Sequence, residues 1–167
     1  MPQLAIHPES RPPFGLYQDF ERHDESITAR TSALGVRFDF RESAFWSNEV
    51  RFSDAWKRLR NTTTLADGWD TYQAEAPNAI AHDLAQRVLT TLEGAWLAPA
   101  RVLPSAEGGI AISFVAGDRR AEIEVYNTGE VVAATYSSRG EPAVWELRDT
   151  EDALKTAIAS IRVHLAD

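Results

Sequence analysis

The densest set of chemically capable side chains lies in one short stretch, Asp67-Gly68-Trp69-Asp70-Thr71-Tyr72-Gln73-Ala74-Glu75, just ahead of Pro77. Its carboxylates, indole and phenol can line a small acidic and aromatic pocket suited to a cation, a sugar or an arginine from a partner. Asp67, Asp70 and Glu75 would also suit a divalent metal that activates water for hydrolysis. A structural use competes with both. Gly68 can end a helix in a left-handed turn, Trp69 can peg the loop into a core, and Asp70 can accept hydrogen bonds from backbone N–H groups of the turn. Stapling accounts for each residue type. Asp67, Trp69, Asp70, Tyr72 and Glu75 are therefore candidate binding residues, and no catalytic residue or metal ligand is assigned.

Other chemistry is thinly supplied. The chain has no cysteine, which excludes thiolate catalysis, Cys-ligated zinc, iron–sulfur clusters and disulfides. His7, His23, His82 and His164 form no HExxH or other ligand spacing. Neighbours on a helix point about 100° apart, so His82 and Asp83 cannot orient each other. No G-x-S-x-G elbow singles out a serine nucleophile, and no cofactor is expected. Glu107-Gly108-Gly109 resembles a phosphate-cradling pair, but it lacks GxGxxG or Walker spacing and precedes a strand, so a tight turn is expected.

Charge narrows the partners. Lys and Arg number 17 against 25 Asp and Glu, a net −8, which repels phosphate backbones and makes nucleic acid an improbable bulk partner. The segment Arg51-Phe52-Ser53-Asp54-Ala55-Trp56-Lys57-Arg58-Leu59-Arg60 is the best local exception. Its simpler reading is an amphipathic helix with Trp56 and Leu59 inward and Lys57, Arg58 and Arg60 solvated. No apolar run approaches the ~18 residues that cross a bilayer, and Met1 to Ser10 lack the pattern of a secretion signal. A cytoplasmic protein is the expectation.

The loop motif Gly68-Trp69-Asp70-x-Tyr72-x-Ala74 and the later Pro104-x-x-Glu107-Gly108-Gly109-Ile110 resemble an uncharacterised group of small bacterial and phage proteins. Its members carry a Gly-Trp-Asp-x-Tyr-x-Ala loop before a helix and a Pro-x-x-(Asp or Glu)-Gly-Gly-Ile turn that opens an antiparallel sheet. The resemblance runs from about Trp56 to Tyr136. The chain has Gln73 where such proteins often place Gly, and Phe114-Val115 where many have Glu-Trp, so a role tied to that acid does not carry over. No activity is implied. The frequent setting of such proteins among mobile-element and defence genes points to that context.

These motifs must be held by elements. Val36, Phe38 and Phe40 alternate with charged residues, and Glu49 to Phe52 would return as a second strand after Ser47-Asn48, predicting a hairpin. Ser53 then reads as an N-cap for a helix marked by Trp56, Leu59 and Leu65, weakened at Thr62-Thr63-Thr64 and ending before Gly68. A second helix starts at Pro77-Asn78, carries Ile80, Leu84, Val88, Leu92 and Trp96 along one face and is closed by Pro99.

Period two follows, with Ile110, Ile112 and Phe114, then Ala121, Ile123 and Val125, then Val131, Ala133 and Thr135. Hairpin turns at Gly117-Asp118 and Asn127-Thr128-Gly129 join these strands, and a last strand spans Ala143 to Leu147. Glu122, Glu124 and Tyr126 alternate with the inward set, so one sheet face is polar or meets a partner. A final helix, capped by Asp149 or Thr150, lays Leu154, Ala157, Ile158, Ile161 and Leu165 on one stripe. Trp46 and Trp145 would mark an interface if exposed and a core if buried.

The expected fold is α+β, a two-layer sandwich of an antiparallel meander on about three helices, with residues 1–32 as an extended N-terminal arm and 33–167 as one domain. The expected function is a non-catalytic protein-binding or regulatory module, of the antitoxin, immunity-like or inhibitor kind, held to another protein through the arm and a sheet face or edge. The alternatives are a metal-dependent hydrolase on the Asp67/Asp70/Glu75 loop and a nucleic-acid mimic or binder. An exposed edge strand would also permit a homodimer.

Overall fold

The alternation after Pro99 becomes a five-stranded sheet in strict chain order, β1 (Arg101–Ser105), β2 (Gly109–Ala116), β3 (Arg119–Tyr126), β4 (Val131–Ser137) and β5 (Ala143–Leu147), all antiparallel. The computed structural model describes residues 40–138, 140–148 and 150–166, with side chains from residue 47 onward. Residues 1–32, assigned to an arm, lie outside the described residues, as do Val36, Phe38, Asp149 and the side chain of Trp46.

Three helices, α1 (Phe40–Thr62), α2 (Ala79–Gly94) and α3 (Glu151–Ala166), accompany the sheet among the described residues. Ile112, Phe114, Ile123 and Val125 meet Leu84, Val88 and Leu89 of α2, Ile158 and Ile161 of α3, and Phe52 and Leu59 of α1 in one core. The fold is thus the α+β meander on helices. Burying a Leu, Ile or Phe side chain contributes about 1.5–3 kcal/mol, so this one-sided layer is the main driving force for the sheet.

The hairpin over Val36 to Phe52 is corrected. Phe40 and Glu49 to Phe52 belong to the 23-residue α1, and Ser53, read as its N-cap, lies in its interior. No Gly or Pro occurs between Gly35 and Gly68, so nothing interrupts a helix there, whereas Ser47-Asn48 is a weak turn signal. Phe52, Ala55, Leu59 and Thr62 recur at helical spacing and are all buried. The expected polarity of the basic segment holds from Trp56 on: Leu59 is buried, Trp56 half-buried, and Lys57, Arg58 and Arg60 exposed. At the C-terminus the Thr62, Thr63 and Thr64 hydroxyls donate to the carbonyls of Leu59, Arg60 and Asn61 at 2.7, 2.7 and 2.9 Å. Hydroxyls thereby satisfy carbonyls that the ended helix leaves open.

α2 begins as expected, with the Asn78 side chain accepting from the Ala81 N–H at 3.0 Å. Its end differs. Trp96 turns left-handed at φ 54°, so the helix stops before Pro99, and Ile80 and Trp96, read as core, are 51% and 54% exposed. The Leu97 N–H then reaches back to the Leu92 carbonyl at 3.0 Å, a Schellman-type closure. β1 was not anticipated, because Pro104 argues against a strand; as an edge strand it tolerates the missing N–H. β5 and α3 fall where expected, the Thr150 hydroxyl accepts from the Ala153 N–H at 3.2 Å, and Trp145 is half-buried against the core.

Candidate functional site

The Gly-Trp-Asp loop connects α1 to α2 and is closed by its own acids. Asp70 Oδ1 accepts from the backbone N–H groups of Tyr72 and Ala74 at 2.9 and 3.0 Å. Asp67 Oδ1 accepts from Ala76 N–H at 2.9 Å, and Gly68 N–H donates to the Ala74 carbonyl at 2.8 Å. Such side-chain acceptors replace the partners that an irregular backbone lacks. Thr71 and Gln73 sit at φ 67° and 72°, in the left-handed region that favours glycine.

Among the five candidate binding residues, Tyr72 is 81% exposed and Trp69 is half-buried outside the main core, where Ala74 is the buried member of the loop. The Trp69 indole N–H is itself buried with no hydrogen-bond partner. Glu75 is exposed and lies beside the β1–β2 turn, where a Cβ on Gly108 would come within 3.4 Å of the Glu75 Cβ. The two motifs are thus adjacent in space.

Asn127, read from sequence only as a turn residue, joins them. Its N–H donates to the Gly108 carbonyl at 3.0 Å and its Nδ2 to the Ala76 carbonyl at 3.0 Å, while its Oδ1 accepts from Asn78 N–H at 2.8 Å. Asn78 Nδ2 in turn donates to the Asn127 carbonyl at 3.0 Å. Gly108-Gly109 form a tight turn. A Cβ at Gly109 would fall 2.1 Å from the Val125 carbonyl oxygen, so the backbone approach admits only glycine.

A second constellation occupies the sheet face turned away from the main core. Register places Leu103, Ala111, Glu124, Val132 and Glu146 on one line across the strands, and Arg101, Ser113, Glu122, Ala134 and Val144 on the next. Small residues surround the two acids, and larger ones stand at the rim. Every residue of β3 from Ala121 to Val125 is buried, so the middle of the sheet is closed on both faces. Leu103, Val115 and Val144 at the rim remain 40%, 56% and 53% exposed.

The chemistry of this face is uneven. Glu124 accepts from the Ser105 hydroxyl on one oxygen and from the Tyr126 hydroxyl, at 2.8 Å, on the other. Glu122, 9% exposed, takes no hydrogen bond and no ion pair from any described residue. Its carboxyl is pushed up to about 7, first by burial and then by the charge of Glu124. Burial also drives the Tyr126 phenol well above its usual range, helped by its bond to Glu124 and by the charges of Glu124, Glu107 and Glu122. The alternation in sequence places Glu122, Glu124 and Tyr126 on this face. It carries no sign that the acids would be buried.

Elsewhere, burial lowers His82 against the opposing charge of Asp83, and its Nε2 has no hydrogen-bond partner. A groove of about 890 Å³ runs between α2 and the start of α3, lined by Asp83, Thr90, Leu147, Thr150 and Leu154, and contains none of the sequence-predicted residues. No group of three or more His, Asp or Glu is disposed to hold a metal ion among the described residues. No described helix is long and apolar enough to cross a membrane. No protein-family model, curated protein or solved structure matches the chain.

Proposed function

We propose that this chain is a non-catalytic binding module that holds another protein against the outer face of its sheet. In this reading it acts in the bacterial cytoplasm as an antitoxin, immunity-like factor or inhibitor, the setting that the sequence resemblance implies. One observation carries it: Leu103, Val115 and Val144 stand exposed on the outer face of the sheet, on the same side as Glu122 and Glu124. Apolar contacts are the usual composition of an interface core.

The hydrolase alternative draws less support, since Asp67 and Asp70 each direct an oxygen to loop amides instead of an open site. Co-purification of the full chain from its native host tests the reading. Wild type and Asp70→Asn are expected to retain a stoichiometric protein that the double variant Val115→Lys/Val144→Lys loses. Retention by the double variant, loss only with Asp70→Asn, or no retained protein at all would overturn it.

A further inference from the structure

We propose that the open edge of the sheet, β5, pairs with β5 of a second copy of this chain, antiparallel and about a two-fold axis at Trp145, so that two sheets become one. The inference goes beyond what docks on the outer face and does not depend on it.

The two edges of the sheet differ. At β1, α1 packs alongside, Val102 is 2% exposed, and Pro104 has no N–H to offer a further strand. β5 lies at the opposite edge, hydrogen-bonded to β4 on one side and, on the other, to nothing among the described residues. Ala143 and Glu146 are exposed and Val144 is 53% exposed, so this edge is open to solvent.

The alternation of hydrogen bonds decides what the edge offers. The Tyr126 N–H donates to the Glu130 carbonyl at 2.9 Å, which starts the β3–β4 ladder. Antiparallel strands exchange bonds at every second pair, so Glu124 with Val132 and Glu122 with Ala134 are the bonded pairs of β3 and β4. Val131, Ala133 and Thr135 are then left to bond Leu147, Trp145 and Ala143. Val144 and Glu146 consequently turn their backbone N–H and C=O groups outward.

That set is complementary to itself. In an antiparallel pair about Trp145, Val144 of one copy faces Glu146 of the other, and the two residues exchange both backbone bonds, once on each side of the axis. One step further along, Arg148 faces Pro142, which lacks an N–H. The Arg148 carbonyl needs none, because it already accepts from the Thr150 N–H at 2.7 Å. The Arg148 N–H in turn meets the Pro142 carbonyl. At the axis the two half-buried Trp145 indoles stand opposite each other, an aromatic cross-strand pair beside the core of each copy. Glu146 is opposed by the aliphatic Val144, so no like charges stand directly across the pair. Any extended peptide can bond an open edge, but the match of Arg148 to Pro142 and of Trp145 to itself selects the chain's own strand.

The test uses the purified full chain, with sedimentation equilibrium from about 10 μM to about 1 mM and amide hydrogen exchange read by NMR at both ends of that range. The weight-average mass is expected to rise toward twice that of one chain. Exchange at Val144 and Glu146 is expected to slow about tenfold with concentration, whereas Ala143, Trp145 and Leu147, bonded within each sheet, are protected throughout. Glu146→Pro removes an N–H that only the second copy uses, and Trp145 before it is already extended, so this variant is expected to fold and to stay monomeric. A monomer at every concentration, a dimer whose Val144 and Glu146 amides exchange as in the monomer, or a dimer kept by Glu146→Pro would overturn the inference. The exchange measurement on the wild type decides it even where the variant is unfolded. Failure to retain a protein in the co-purification bears on the outer-face reading alone.

Discussion

The Gly-Trp-Asp loop and the outer sheet face both concentrate carboxylates, and they treat them in opposite ways. In the loop, Asp67 and Asp70 accept from backbone N–H groups two to nine residues away. On the sheet, Glu122 is more deeply buried and takes no hydrogen bond from a described residue. An acid in a turn commonly serves its own backbone, whereas an acid in a strand cannot reach its own amides, which the ladder already occupies. The sheet acid is therefore the one that nothing in its own strand satisfies, even though the loop looks richer as sequence.

The comparison is broken most forcefully at the junction. Gly109→Ala forces a Cβ against the Val125 carbonyl and should destabilise the fold by on the order of 4 kcal/mol, read by denaturant titration. A cost below ~1 kcal/mol would mean that β2 does not approach β3 that closely at Gly109.

Glu122→Gln should act in the other direction and only at higher pH. The native carboxyl, raised from 4.5 to about 7, binds its proton more tightly than the unfolded chain does, so wild-type stability falls as pH rises through that window. The variant should be more stable by up to about 3 kcal/mol at pH 8 and nearly equal at pH 4.5. Denaturation midpoints across pH 4.5–8 measure this, and parallel profiles for the two proteins would remove Glu122 as an unmatched acid.

Asp70→Ala strands two loop amides and should cost about 2 kcal/mol, with Asp70→Asn milder because one acceptor remains. Thermal unfolding of the two variants distinguishes a staple from a surface acid, whose removal costs little. The smallest effect is a gain: Gln73→Gly relieves a left-handed residue at φ 72° and should stabilise by about 1 kcal/mol, measured in the same way.

What could be read in advance follows physical lines. Ile110, Ile112 and Phe114 announce their strand because every second residue must face one helix layer, and α2 and α3 announce themselves by their own period. Phe40 misleads because alternation over so few residues is a weak strand signal, and the long Gly- and Pro-free run that follows it favours a helix. Trp96 breaks the α2 pattern through its backbone, which hydrophobicity does not report. Asp70 as a staple was legible from its turn context. Asn127 as the bond between two motifs was not, since its partners Ala76 and Asn78 are about fifty positions away.

The meander also bears on how quickly the chain can fold. Every strand pairs with its neighbour in sequence, and β2 and β3 are joined by Gly117-Asp118 alone, with Ala116 paired to Arg119. Short loops cost little entropy to close, so this hairpin is a natural nucleus to which β4 and then the edge strands can zip. α1 and α3 come from opposite ends of the described chain, and their docking on one hydrophobic layer requires the longest closure. Folding speed should accordingly respond to changes at the central hairpin and unfolding speed to changes in the terminal helices, a division of kinetic labour set by strand order alone.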